Sequence, residues 1–238
     1  PMMPLVEVIH TASTHEMEVT KGLAFTRQID RLPLPCRSAP GFVVNRVLMP
    51  YMIEAVRVAE EGVPLPLIDK AATDFGMPMG PVELADTVGL DVAASVAQVF
   101  ETEFGLTVPA QLTEKVAAGQ LGRKSGRGFY EWRKGKAVKP SVDKDDMPAN
   151  LQDRLMLPMI NEAVACLREG VVEDQDLLDG GVIFGTGFAP FRGGPMHYAG
   201  SRGHQEIVAV LQGLASQYGD RFKPDAGWEN PRREPSAA

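Results

Sequence analysis

One acid interrupts an apolar run at Leu5-Val6-Glu7-Val8-Ile9. A carboxylate is costly to bury alone, so the pattern leaves two readings open: a glutamate paired with another group, or a strand-end glutamate facing water. Histidine is the side chain that titrates near neutral pH, and the chain holds His10, His15, His197 and His204. His10 falls on the opposite strand face from Glu7, because side chains alternate along a strand. His15 sits at a helix start, and all four read as surface or packing residues. The basic stretch Gly122-Arg123-Lys124-Ser125-Gly126-Arg127-Gly128 has the glycines of a phosphate loop, but it follows a helix rather than a strand. It reads as a tight structural turn. Cys36 and Cys166 give neither a disulfide framework nor a metal-ligand spacing, so no metal is expected and a reducing compartment is the default.

The elements around these residues follow from local pattern. Pro4–Ile9 reads as a buried strand, Thr14 as the N-cap of a helix reaching Asp30, and Leu32–Cys36 as extended, because each proline drives its predecessor into the β region. So short a strand–helix–strand piece looks like the last part of a larger parallel sheet. From Gly41 the pattern turns helical. Val47, Leu48, Tyr51, Met52, Ala55, Val56 and Ala59 form an apolar stripe, and Gly62 stands where that helix should stop. Shorter helices follow at Leu67–Phe75, Pro81–Val88, Asp91–Phe104 and Pro109–Ala118, with Pro81 and Pro109 in first turns. Gly76, Gly89, Gly105 and Gly119 close them. Lys134 to Asp146 is polar and poorly periodic and reads as a linker.

Beyond it the sequence repeats. Asn45-Arg46, Pro50, Glu54-Ala55-Val56 and Glu61-Gly62-Val63 recur as Asp153-Arg154, Pro158, Glu162-Ala163-Val164 and Glu169-Gly170-Val171 at a constant offset. Amphipathicity does not explain a mid-helix proline and two fixed tripeptides, so the segment reads as a duplication. Further on, Phe75-Gly76 is matched with Phe184-Gly185, and Gly80-Pro81 with Gly194-Pro195. The chain of 238 residues has room for one or two domains, and 24 Lys and Arg against 31 Asp and Glu leave a net charge of -7. That balance argues against general nucleic-acid binding. No apolar run is long enough for a membrane helix.

Leu5–Ile9, Ala39-Pro40-Gly41-Phe42-Val43-Val44-Asn45-Arg46 with Pro50-Tyr51, Met77-Pro78-Met79-Gly80-Pro81-Val82-Glu83-Leu84 with Asp86, and Gly126–Tyr130 resemble the L-3-hydroxyacyl-CoA dehydrogenases, in that family's order. The second copy is similar to the additional helical domain of multifunctional β-oxidation proteins, which fuse enoyl-CoA hydratase and dehydrogenase. The resemblance implies a mainly α fold: two tandem helical domains like the C-terminal domain of 6-phosphogluconate dehydrogenase, preceded by a βαβ remnant of a Rossmann NAD-binding domain. The implied boundaries are 1–40 for the remnant, 41–133 for the first helical domain, 134–147 for the linker and 148–238 for the second. A chain starting at Pro1 then reads as cut from something longer, with an unpaired sheet edge in its first segment.

The reaction so implied oxidises a 3-hydroxyacyl-CoA, with NAD taking the hydride and a histidine the hydroxyl proton. Glu7 matches the carboxylate that orients the histidine. Asn45 matches the asparagine that binds substrate beside the reacting carbon, its other reading being a helix-start asparagine. The histidine, a substrate-binding serine and the NAD loop would all precede residue 1, so this chain alone is expected to be inactive. Met77, Met79 and Pro81 would line an acyl or pantetheine channel, although methionine there is also ordinary core. Arg123, Lys124 and Arg127 could meet CoA phosphates. Asp153 replaces Asn45 in the second copy, which is therefore expected to be non-catalytic. Expected partners are the 3-hydroxyacyl-CoA substrate and the missing NAD-binding domain, with neither nucleic acid nor a membrane span. The two helical copies are expected to pack as a pseudo-two-fold dimer within the chain. The expected location is the bacterial cytoplasm or an organelle interior. The alternative is a non-catalytic helical scaffold or acyl-CoA-binding association module; an upstream histidine and Gly-rich loop would tell the two apart.

Overall fold

The computed structural model describes residues 4–229; Pro1 and the end of the expected second helical domain, 230–238, lie outside them. Strands β1 (Leu5–His10) and β2 (Leu32–Arg37) pair in parallel, with Glu7 opposite Leu34, and helix α1 (Glu16–Gln28) joins them. Parallel neighbours require such a crossover. Thr14 does not cap α1. The N-cap is His15, and the Thr14 hydroxyl accepts the Thr11 amide at 3.0 Å in the preceding turn. A threonine hydroxyl serves either purpose, and local sequence does not choose between them.

The rest is mainly helical. Helices α2 (Val44–Glu60), α3 (Leu65–Phe75), α4 (Pro81–Val88), α5 (Leu90–Phe104) and α6 (Ala110–Ala117) follow one another, and Pro81 opens α4 as its first residue. A hairpin of β3 (Glu131–Arg133) and β4 (Lys136–Val138) comes next. Then come α7 (Leu151–Arg168), α8 (Gln175–Thr186), α9 (Pro195–Arg202) and α10 (His204–Tyr218). The segment read as a linker is thus partly built: β4 falls inside it, and Lys139 just beyond is ion-paired to Asp69 and Glu83 at 2.8 and 2.7 Å. Three alternating residues are too few to register as a strand pattern.

The α3 and α8 segments differ from the expected match by a register step. Gly76 ends α3 in the left-handed conformation, and the glycine that does so for α8 is Gly187, not Gly185, which lies within the helix. Glycine is favoured at such caps because it has no Cβ to clash.

Two compact units divide the chain, and each draws on both sequence copies. One comprises the described residues up to Leu48 and those from Leu157 onward; the other runs from Met49 to Met156. Their boundaries fall inside α2 and α7, just before Pro50 and Pro158. The first unit is built on Leu5, Leu34, Leu157, Ile160, Phe188 and Leu211, and the second on Tyr51, Leu67, Ile68, Phe75, Leu90 and Phe100, all buried. An arginine is buried in each. In the first unit Arg46 Nε and Nη1 reach Glu162 Oε1 and Glu169 Oε2, both at 2.7 Å. In the second, Arg154 Nε reaches Glu54 Oε1 at 2.7 Å and Nη2 reaches Glu61 Oε1 at 2.6 Å.

Candidate active site

Glu7 is half-buried at the middle of β1. Its Oε1 accepts the amides of Val43 at 2.8 Å and Val44 at 3.1 Å, at the start of α2. A helix N-terminus has unsatisfied N–H donors and a positive dipole end, so a carboxylate is well placed there. The turn that aims these amides is unusual. Gly41 and Phe42 both have positive φ, 73° and 51°, and a left-handed conformation in a bulky residue stores strain of about 1–2 kcal/mol. Among the described residues no donor meets Glu7 Oε2, which leaves one oxygen for an incoming group. Asn45 is exposed in the first turn of α2, directly after the amides that hold Glu7. The fold thus brings Glu7 and Asn45 to one helix start. Behind them the Cys36 thiol is buried, and burial, with Glu7 nearby, pushes its pKa to about 12. It is no nucleophile.

Met77, Met79 and Pro81 belong to the other unit, at the corner between α3 and α4. Met77 is core, with 4% exposure, and Pro81 is buried. Met79 is half-buried, and its Sδ accepts the Thr87 hydroxyl at 3.8 Å. The corner is fixed by Asp69, whose Oδ1 accepts the Val82 and Glu83 amides at 2.9 and 3.3 Å, while Oδ2 accepts Tyr130 Oη and Lys139 Nζ, each at 2.8 Å. Asp86 organises the Gly-rich loop. It accepts the Phe129 and Tyr130 amides at 2.8 and 2.9 Å and Trp132 Nε1 at 2.9 Å. Burial raises its pKa against the pull of those donors. A Cβ on Gly122 or Gly128 would collide with Asp86. These glycines therefore serve the protein's own carboxylate, and the turn reading of the loop fits the geometry. Two of the loop's cations are also engaged: Lys124 pairs with Asp91 at 2.5 Å, and Arg123 lies 5.9 Å from the Trp132 ring centre.

The family model described as "3-hydroxyacyl-CoA dehydrogenase, C-terminal domain" matches residues 41–132. Over these residues the chain belongs to the 3-hydroxyacyl-CoA dehydrogenase family. The fatty acid oxidation complex subunit alpha of Shewanella sp. strain MR-7 is 39% identical over 241 residues, covering 93% of this chain and 34% of that protein. The chain thus spans about a third of the length of the curated relatives it matches. The crystal structure of 3-hydroxybutyryl-CoA dehydrogenase from Escherichia coli K12 superposes with a TM-score of 0.82 at 26% identity, over 97% of this chain and 68% of that one. That of (S)-3-hydroxybutyryl-CoA dehydrogenase from Ralstonia eutropha reaches 0.53 at 39% identity, over 56% of this chain and 48% of that one.

Among the described residues no strand is followed by a Gly-rich loop and a helix, so they do not fit a resident NAD. No described histidine is hydrogen-bonded to Glu7. His15 and His197 are exposed, His10 ends β1, and His204 meets the Trp228 ring edge-on at 5.5 Å. Among the described residues no three His, Cys, Asp or Glu side chains are grouped as a metal would require, and no helix is long and apolar enough to cross a membrane. Sequence reasoning missed Asp69 and its counterpart Asp179, which accepts the Met196 and His197 amides at 2.7 and 3.0 Å. Their signal was partial: Asp69 and Asp179 are buried acids on largely apolar helices, and Asp176 precedes Asp179 by three residues on α8.

Proposed function

We propose that this chain is the C-terminal part of an NAD-dependent L-3-hydroxyacyl-CoA dehydrogenase, acting in fatty-acid β-oxidation within a longer multifunctional protein. The observation that carries this is the Glu7 carboxylate, held through one oxygen by the start of α2 with Asn45 alongside. A carboxylate fixed in that way orients an imidazole through its remaining oxygen and stabilises the imidazolium formed when the substrate hydroxyl is deprotonated. The imidazole comes from residues outside this chain, as does the domain that binds NAD; the cofactor supplies hydride acceptance. Asn45 donates to the substrate oxygen as that oxygen gains negative charge. Met77, Met79 and Pro81 shape the path of the acyl or pantetheine chain, with Met77 acting from within the core.

The segments 1–40, 41–133, 134–147 and 148–238 are the sheet remnant, first helical domain, connection and second helical domain. The two helical copies form an internal pseudo-dimer, a reading supported by the matching ion clusters of Arg46 and Arg154. The second copy carries Asp153 in place of Asn45 and is not catalytic. The enzyme is cytoplasmic. The test is Glu7→Gln in the longer natural protein. Turnover should fall on the order of 10²-fold with little change in KM. Wild-type turnover in a folded variant would return Glu7 to a purely structural role.

A further inference from the structure

Arg46 immediately follows Asn45, and it is 3% exposed. It is a charged side chain buried in the very turn whose amides hold Glu7, so its partners decide where that turn sits. Glu162 and Glu169 are those partners, both from the second sequence copy, on α7 and just past its end. Burial disfavours the charged arginine, but its bond to Glu169 and the nearby Glu162 hold it firmly protonated. The partners are themselves braced: Arg168 bonds Glu169 Oε1 at 2.9 Å and reaches Asp225 at 2.7 and 2.8 Å.

Two further features tie the same elements to the second copy. The Arg37 amide, at the end of β2, donates to the Val171 carbonyl at 2.8 Å, and the Arg37 guanidinium donates to the Glu169 carbonyl. On α8, Gly185 has no side chain where a Cβ would come within 2.5 Å of Val44 Cγ2 and 3.0 Å of Leu5 Cδ2. Gly181 likewise gives way to Leu34, 2.6 Å from where its Cβ would be. Leu5 and Val44 flank the carboxylate and one of its amide donors. The second copy therefore packs against the site's framework at close range in one unit.

We propose that Arg46, clamped by Glu162 and Glu169, is the positioning residue of this site: it fixes the first turn of α2 so that the Val43 and Val44 amides stay on Glu7 and Asn45 stays beside it. Its catalytic consequence rests on the dehydrogenase reading above; its structural consequence does not. The second copy, without chemistry of its own, then works as the platform that pre-organises the first copy's catalytic groups.

The molecule supplies its own control. Arg154 makes the equivalent cluster with Glu54 and Glu61 in the other unit, so losing it removes a buried ion cluster without touching the Glu7 turn. Amide hydrogen exchange is read in the 238-residue chain for Arg46→Met, the gentler Glu169→Gln, and Arg154→Met. Exchange at Val43 and Val44 should accelerate about tenfold or more in both Arg46→Met and Glu169→Gln and stay within about threefold of wild type in Arg154→Met. Wild-type protection of these amides in Glu169→Gln, or equal loss in Arg154→Met, overturns the proposal, and the former decides the matter should Arg46→Met not fold. In the longer natural protein Glu169→Gln should lower kcat with KM nearly constant. Loosened amides with unchanged kcat would uphold the clamp and reject the catalytic reading of Glu7.

Discussion

Glu7 carries two roles that different substitutions separate. Its Oε1 caps the start of α2 through two amides, and its negative charge is what an adjacent imidazolium would require. Glutamine keeps a carbonyl oxygen that accepts the same amides but loses the charge; alanine loses both. By the usual worth of an N-terminal cap, Glu7→Ala should destabilise the chain by about 1–2 kcal/mol, whereas Glu7→Gln should stay within about 0.5 kcal/mol of wild type. Urea unfolding of the three proteins measures this directly. Equal losses in the two variants would mean that charge, not cap geometry, is what the fold uses. Asn45 needs no such separation, because it is exposed and its replacement should change substrate handling more than stability.

At the scale of elements, the recurring device is an aspartate on one helix that caps the next. Asp69 does this for α4 and Asp179 for α9. Asp69 also takes Tyr130 and Lys139. At Asp179 the nearby positive contribution comes from His197, and burial outweighs it and the two amides, raising the pKa from 3.8 to about 6. The folded state therefore binds this proton more tightly than the unfolded chain does. The group's contribution to stability is largest below about pH 4, declines as pH rises through the interval to about 6, and is smallest above it. That span is worth about 3 kcal/mol at 1.36 kcal/mol per pH unit. Asp179→Asn keeps an acceptor for one amide and cannot titrate. Relative to wild type, Asp179→Asn should gain stability between pH 4.5 and pH 7, a comparison that cancels every other carboxylate. A difference independent of pH would show that Asp179 keeps its ordinary affinity for protons.

At the scale of the molecule, each compact unit is assembled from both copies of the duplicated sequence. Neither copy supplies a complete unit by itself. The described residues hold neither a dinucleotide loop nor a histidine bonded to Glu7, so the chain by itself should form no NADH from a 3-hydroxyacyl-CoA. A spectrophotometric assay checks this; turnover at even a hundredth of a typical ~10 per second would refute it.

The sequence alone determined what depends on neighbours in the chain. Apolar periodicity and glycine stops marked α3 through α6 to within a residue or two, as for Pro81–Val88, and α2 with its start three residues off. The duplication was legible because Arg46, Pro50, Glu54 and Glu61 recur in fixed register. The strand–helix–strand opening was legible from its β-branched run and its prolines. What the sequence left open at the candidate site was a choice of distant partner. Glu7 could face water or a ligand; the fold gives one oxygen to amides 36 and 37 positions away. Arg46 lay unremarked inside a motif until its carboxylates arrived from 116 and 123 residues on. Two misses were local: the three-residue strands of the β3–β4 hairpin were too short to show a pattern, and Thr14, read as the cap of α1, instead accepts the Thr11 amide. Periodicity encodes which face of an element avoids water, and water is present at every position along the chain. A buried charge or an orphan amide is satisfied by whichever group packing brings within about 3 Å, and that is decided only when the chain has folded.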